Sequence, residues 1–230
     1  MKRFLLDIGN THTVLTECLP GGTGPLREFG TADFAACDLP QGEIAAVCVV
    51  PEMKRRLAGR EIFFADASNS RGAVDFTKID CTTLGADRVA NAEALAAFYP
   101  LPGVVIDCGT AVTMELVDEN KIFRGGAIAP GRALMRRILH TATAQLPEIP
   151  LSQNIPEDVG EGTLLSIAFG VDAGCIGMIR EFISVAKKKH GAVSVVLTGG
   201  DAAFFRPAFP EAADPGADFT LRGLRLAAGW

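Results

Sequence analysis

Hydrophobic positions along the chain fall into short runs, each closed by a glycine- or proline-bearing turn, with amphipathic stretches between them. Residues 104–113 read VVIDCGTAVT and residues 4–13 read FLLDIGNTHT. An apolar run this short, closed by Asp-x-Gly, predicts a buried strand ending in a tight turn. Both copies continue alike. A strand at 14–19 is broken by PGGTGP at 20–25 and followed by 26–29; one at 114–117 is turned at 118–121 and followed by 122–124. Two strand–turn–strand units about half a chain apart predict two similar lobes facing each other across a cleft. Each would offer one carboxylate and one turn able to cradle phosphate, without a Walker-type Gly-x-x-x-x-Gly-Lys loop.

The remaining pattern is α/β. Residues 43–50 (EIAAVCVV) predict a strand closed by Pro51, 52–59 a short helix and 61–65 another strand. The polar stretch 68–83 reads as the passage between lobes, which places the N-terminal lobe at 1–84 and the C-terminal lobe at 85–230. Residues 89–99 (VANAEALAAFY) are Ala-rich and helical, and Leu101-Pro102-Gly103 stops them. Three glycines and a proline at 125–131 predict a sharp turn or a close approach to a ligand. Helices are expected at 133–144, from Thr163 to about 189, and at 222–229. A strand at 193–197 leads into Thr198-Gly199-Gly200-Asp201.

The candidate chemistry lies at the turns. Gly109 lets backbone come close to a ligand and Thr110 adds a hydroxyl, while Asp107 can hold a cation that neutralises phosphate oxygens. Asp7 and Gly9 repeat the arrangement. Gly85-Ala86-Asp87-Arg88 stands where a helix begins. Asp87 is either a helix cap or an acid–base carboxylate beside a cation that grips an anionic acceptor. An Arg in a first turn has the wrong sign for the helix dipole, which points to another job for Arg88.

Composition narrows the classes. A chain of 230 residues with 48% hydrophobic and 21% charged residues is ordinary for a globular protein, and its net charge of −5 argues against nucleic acid or acidic membrane as a partner. The basic run Lys187-Lys188-Lys189 reads as a solvated helix end. Six cysteines show no C-x-x-C pair or metal-ligand spacing, so reduced thiols and a cytoplasmic location are expected. Cys108 stands out by lying between Asp107 and Gly109. No signal peptide is visible, and no apolar run approaches the roughly 20 residues that span a bilayer.

Taken in order, Asp7-x-Gly9-Asn10-Thr11, Gly85-Ala86-Asp87-Arg88, Asp107-x-Gly109-Thr110-Ala111-x-Thr113, Gly125-Gly126-x-Ile128-x-Pro130-Gly131, Leu146-Pro147 and Thr198-Gly199-Gly200 resemble the type III pantothenate kinases. These belong to the superfamily of acetate and sugar kinases, actin and heat-shock ATPases. The resemblance covers nearly the whole chain. It implies two ribonuclease-H-like lobes with mixed sheets flanked by helices, an actin-like ATPase fold, and a homodimer. It implies transfer of the ATP γ-phosphoryl to pantothenate, the first step of coenzyme A biosynthesis. ATP would contact Asp7, Ile8, Gly9, Asn10, Thr11, His12, Thr13, Val14 and Thr110, with Asp7 serving magnesium. Gly85, Ala86, Asp87, Arg88 and Thr163 would hold pantothenate, with Asp87 as catalytic base. Asp107 would bind a monovalent cation, potassium or ammonium.

The chain departs from the family where an aromatic-x-x-Pro stretch usually precedes Leu84; the corresponding places hold Lys78 and Cys81, and Phe76 is the nearest substitute ring. That departure motivates a second reading, the same kinase chemistry on another small hydroxy compound; a third, a non-catalytic regulator, comes from the resemblance, since relatives have been described as accessory factors for transcription. The presence of Asp7, Asp87 and Asp107 weighs against the regulator.

Overall fold

The computed structural model of the chain describes residues 1–230. In chain order the elements are β1 (Arg3–Ile8), β2 (His12–Leu19), β3 (Gly22–Thr23), β4 (Arg27–Gly30), β5 (Glu43–Cys48), α1 (Pro51–Arg56), β6 (Ile62–Phe64) and α2 (Ala86–Phe98). Then come β7 (Gly103–Cys108), β8 (Ala111–Val117), β9 (Phe123–Pro130), α3 (Arg132–Thr141), α4 (Thr163–His190), β10 (Ser194–Thr198), α5 (Ala202–Phe205) and α6 (Phe219–Ala227). The fold is α/β, as the sequence pattern predicts, with the mixed sheets flanked by helices that the resemblance implies.

Two compact units partition the chain. The first gathers Met1–Gly103, Glu115–Gly125 and Gly216–Trp230. Its sheet runs β3-β2-β1-β5-β6, with β4 also on β2. β1 is antiparallel to β2 and parallel to β5, which is parallel to β6. The strict alternation along β1 and β5 supplies two cores, because successive side chains point to opposite faces. Leu5, Ala45 and Val47 meet α2 and α6 through Ala90, Leu221 and Leu224. Leu6, Ile8, Ala46 and Cys48 meet Met53 and Leu57 on the other face. Small residues bring α2 and α6 together: a Cβ on Gly223 would overlap the Ala90 backbone.

The second unit comprises Val104–Met114 and Gly126–Pro215. The second sheet has the order β10-β7-β8-β9. Helix α4 buries Ile167, Val171, Cys175, Ile179 and Ile183, a single stripe at helical spacing. Its other face exposes Leu164, Leu165 and Val185.

Three expectations need correction. The glycine-rich segment 125–131, expected as a sharp turn or a close approach to a ligand and not as a regular element, is part of strand β9 as far as Pro130, with Gly125 at φ +97° absorbing a local distortion that glycine tolerates inside a ladder. The helices at 89–99 and 222–229 each begin three residues earlier, at Ala86 and Phe219, because Asp and Thr within a first turn do not interrupt it. Helix α4 contains an 18-residue window of mean hydropathy 1.4, long and apolar enough to cross a membrane by composition, which a search for unbroken apolar runs passes over. Within the protein, 33% of that window is buried.

Candidate active site

In the first unit, β1 is paired on both sides, so Asp7 sits at a strand end fixed opposite Val14 and Val47. The turn that follows closes with the Gly9 N–H donating to the His12 carbonyl at 3.0 Å, and a Cβ on Gly9 would come within 3.1 Å of that oxygen. Thr31, just beyond β4, pins the turn from outside. Its N–H donates to the Thr11 carbonyl at 3.0 Å and its hydroxyl to the Gly9 carbonyl at 2.8 Å. The Thr31 oxygen also lies 3.0 Å from the Thr13 oxygen. Thr31 has one hydroxyl hydrogen and gives it to Gly9, so Thr13 is the donor between the two. Of the expected nucleotide segment, Ile8 and Thr13 are buried and structural, whereas Asn10, Thr11 and His12 are exposed.

Gly85, Ala86, Asp87 and Arg88 share the start of α2. Gly85 occupies the N-cap position, so Asp87 lies inside the first turn and is not the cap residue. Its Oδ1 accepts the Arg88 N–H, a first-turn amide, at 2.8 Å. Burial pushes the Asp87 carboxyl above the ordinary carboxylate range, against the pull of that amide and of the Arg88 charge. Arg88 is not a surface residue. Its Nε donates to Glu115 Oε1 at 2.8 Å, with the Glu115 side chain fully buried. The guanidinium that looked misplaced at a helix start is thus fixed by a carboxylate from β8.

The segment before α2 is anchored by Glu93. One of its oxygens accepts from the Ser70 hydroxyl at 2.8 Å, and the other accepts the Ala73 and Val74 N–H groups at 2.8 and 3.2 Å. Phe76 is buried, with its ring 5.4 Å from that of Phe123. It therefore does not stand in as an exposed ring for the missing aromatic, and Lys78 is exposed.

In the second unit, Asp107 is the next-to-last residue of β7 and the Gly109 N–H donates to the Ala111 carbonyl at 3.0 Å. Two glycines abut this turn. The Gly131 N–H donates to the Thr110 carbonyl at 3.0 Å, and a Cβ there would fall 2.9 Å from that oxygen. Gly199 has φ +94°, and its Cβ would fall 2.6 Å from the Cys108 nitrogen and also strike the Asp107 carboxylate. The structure brings Asp107, Thr110, Gly131 and Gly199 into one cradle whose wall is backbone. Cys108 is buried, and burial with neighbouring Asp107 pushes its thiol far up, so it supplies no thiolate. Thr163 is the exposed first residue of α4 and lines a separate groove of about 740 Å³ with Pro130, Met135, Leu139 and Ile167.

Below the cradle lies a charge cluster that the sequence reading passed over. Arg132 and Arg136 of α3 are buried with Asp172 of α4, and Arg132 also reaches Asp201. The available signal was the one that marked Arg88: Arg132 is a first-turn arginine, unfavourable for the dipole unless it has a partner. Thr31, Glu93 and Glu115 carry no such signal, since each acts through a contact distant in sequence.

The family model for type III pantothenate kinases matches residues 39–185. A type III pantothenate kinase from Akkermansia muciniphila is 40% identical over 241 residues, covering 100% of this chain and 99% of the relative. One from Rhodospirillum centenum is 41% identical over 219 residues, covering 93% and 74%. Among solved structures, a Campylobacter jejuni protein assigned to the Baf family of transcriptional activators superposes with a TM-score of 0.70 at 22% identity, covering 98% and 97%. The ADPNP-bound activator of 2-hydroxyisocaproyl-CoA dehydratase from Clostridium difficile gives 0.53 at 12% identity, covering 98% and 93%. These structures share the actin-like ATPase fold.

Proposed function

The chain belongs to the type III pantothenate kinase family, and from that premise we propose how its own residues divide the work. The enzyme is an ATP-dependent kinase that transfers the γ-phosphoryl group to pantothenate, giving 4′-phosphopantothenate for coenzyme A synthesis. The observation that carries the assignment of roles is the first turn of α2. There a half-buried carboxylate with a raised pKa stands next to an arginine immobilised by Glu115.

Asp87 orients the primary hydroxyl of pantothenate and accepts its proton as the new O–P bond forms and the bond from the γ-phosphorus to ADP breaks. Proton transfer is late in such a loose transition state, so positioning dominates. Arg88, its Nε held by Glu115, is the cation on the acceptor side, matched to the carboxylate of pantothenate. Gly85 and Ala86 complete the acceptor turn, and Thr163 contacts pantothenate.

The turn from Asp7 to Val14 holds the ATP phosphates, and Thr110 contacts ATP. Asp7 would hold the magnesium, an ion that keeps several waters and the substrate phosphates and needs only one or two carboxylates. When bound with ATP, magnesium neutralises charge on the β- and γ-phosphate oxygens. Asp107 would take potassium or ammonium, because backbone oxygens around Gly109, Gly131 and Gly199 suit an ion tolerant of irregular geometry. The reading includes a homodimer built on the exposed face of α4, where Gly170, Gly174 and Gly177 meet no neighbour, and a cytoplasmic location. Light scattering at micromolar concentration tests the dimer.

One observation favours a second reading, the same chemistry on another small hydroxy compound. Lys78 and Cys81 replace the expected aromatic and proline, and Phe76 is buried elsewhere. ADP release measured with pantothenate and with a panel of small hydroxy acids and sugars decides between them. Turnover of a different acceptor, with none of pantothenate, overturns the first reading.

A further inference from the structure

We infer that Arg132 is a positioning residue for the nucleotide and cation side of the reaction, acting through Asp201 and Phe204 on the glycine turn at 199–200. The inference rests on the reading above that the Asp107 turn serves ATP and a monovalent cation. Arg132 is fully buried and every nitrogen of its guanidinium is used. Nη1 donates to both oxygens of Asp201, at 2.9 and 3.2 Å. Nε donates to Asp172 at 2.9 Å, and Nη2 to the Ser152 carbonyl at 2.6 Å. The Arg132 Cζ atom lies 3.3 Å from the Phe204 ring centroid.

Asp201 and Phe204 belong to one short stretch, so Arg132 grips it at two points, by ion pair and by stacking. That stretch bears directly on the cradle, because the Asp201 N–H donates to the Cys108 carbonyl at 2.9 Å and Gly199 packs against Cys108. The residue before Arg132 is Gly131, whose N–H is bonded to the Thr110 carbonyl. One side chain therefore ties together the two glycines that wall the Asp107 turn, and ties both to the middle of α4 through Asp172.

Stability alone is a poor reason for this arrangement, since buried ion pairs are often replaceable by apolar residues without loss. A lysine would keep the charge and lose both the stacking plane and the fork of donors. What only arginine supplies here is fixed geometry, and the geometry it fixes is that of the cradle.

The test uses full-length Arg132→Lys, with Arg136→Lys as comparator because Arg136 pairs with Asp172 and not with the glycine turn. Folding is checked by circular dichroism melts. Steady-state kinetics give KM for ATP, KM for pantothenate and the potassium concentration for half-activation, and calorimetry gives affinity for magnesium-ADP. Arg132→Lys is expected to raise KM for ATP and the half-activating potassium concentration by between about 10- and 100-fold, the cost of a small misplacement. KM for pantothenate should stay within about twofold, and ADP affinity should fall with KM for ATP. A folded Arg132→Lys enzyme with all these constants unchanged, or with only kcat reduced, overturns the inference. If Arg132→Lys does not fold, Asp201→Asn keeps the shape and removes half of the grip; a folded Asp201→Asn enzyme without the split also overturns it. Failure of the wild-type enzyme to use pantothenate or to respond to potassium would instead defeat the functional reading, and the ADP titration would still decide the role of Arg132.

Discussion

Replacing Asp87 with Asn removes one charge and leaves the shape of the turn. The side-chain oxygen that accepts the Arg88 N–H at 2.8 Å is an acceptor in either residue, so the start of α2 should persist. What disappears is the proton acceptor. Losing a positioned acid–base group lowers kcat by about 10²–10⁴-fold, or roughly 3–5 kcal/mol of transition-state stabilisation. Stability moves the other way. Burial raises the Asp87 carboxyl, so the ionised form is less comfortable folded than unfolded. That penalty is complete above the raised folded pKa, shrinks as pH falls through it, and vanishes below the unfolded value near about 3.9. At neutral pH the Asn variant should melt no lower than wild type and hold ATP as tightly, while turning over poorly. The wild-type kcat/KM should fall on an acid limb lying above the ordinary carboxylate range, and the residual activity of the variant should lack that limb. Coupled ADP release, nucleotide calorimetry and thermal melts across pH measure all of this. Near-normal turnover, or a melting temperature lowered by several degrees, would show that Asp87 serves only the helix start.

Other outcomes follow from the same contacts. Asp107→Asn should abolish activation by potassium or ammonium and weaken ATP binding together, read as rates in each salt at matched ionic strength; full wild-type activity without any monovalent cation would falsify the assignment. Glu115→Ala leaves the buried Arg88 guanidinium without its carboxylate, at about 3–5 kcal/mol in denaturant titrations, and should raise KM for pantothenate more than KM for ATP. Gly199→Ala forces a side chain into φ +94° against Cys108, at about 1–2 kcal/mol from the backbone alone, and should raise KM for ATP while sparing KM for pantothenate.

The strands that carry Asp7 and Asp107 were readable because each pairs an apolar triplet with Asp-x-Gly, and that signature is local. Segment 125–131 was misread because counting glycines ignores the ladder: β9 keeps its alternation of burial despite them. The chemistry at Asp87 was half legible. Its place in a helix start could be seen, but the carboxylate that fixes Arg88 comes from Glu115, 27 residues on. Thr31 was invisible for the same reason, since nothing local marks a threonine as the staple of a turn 22 residues back. Arg132 had a usable sign in its adverse dipole, which the reading applied to Arg88 alone.

The threonine staple also bears on how the chain can be dissected. The turn after β1 takes its shape from Thr31 as well as from its own hydrogen bond, through a relay that runs Thr13 to Thr31 to the Gly9 carbonyl. A peptide ending before Thr31 would have the Asp-x-Gly signature and lack the clamp. The segment would then sample many shapes, and nucleotide would have to supply the ordering free energy at the moment of binding. In the intact chain that ordering is completed during folding, so occupancy should leave the backbone at residues 9–12 where it is. Amide exchange at the Gly9 N–H should accordingly be slow in the apo enzyme and change little when ATP is added.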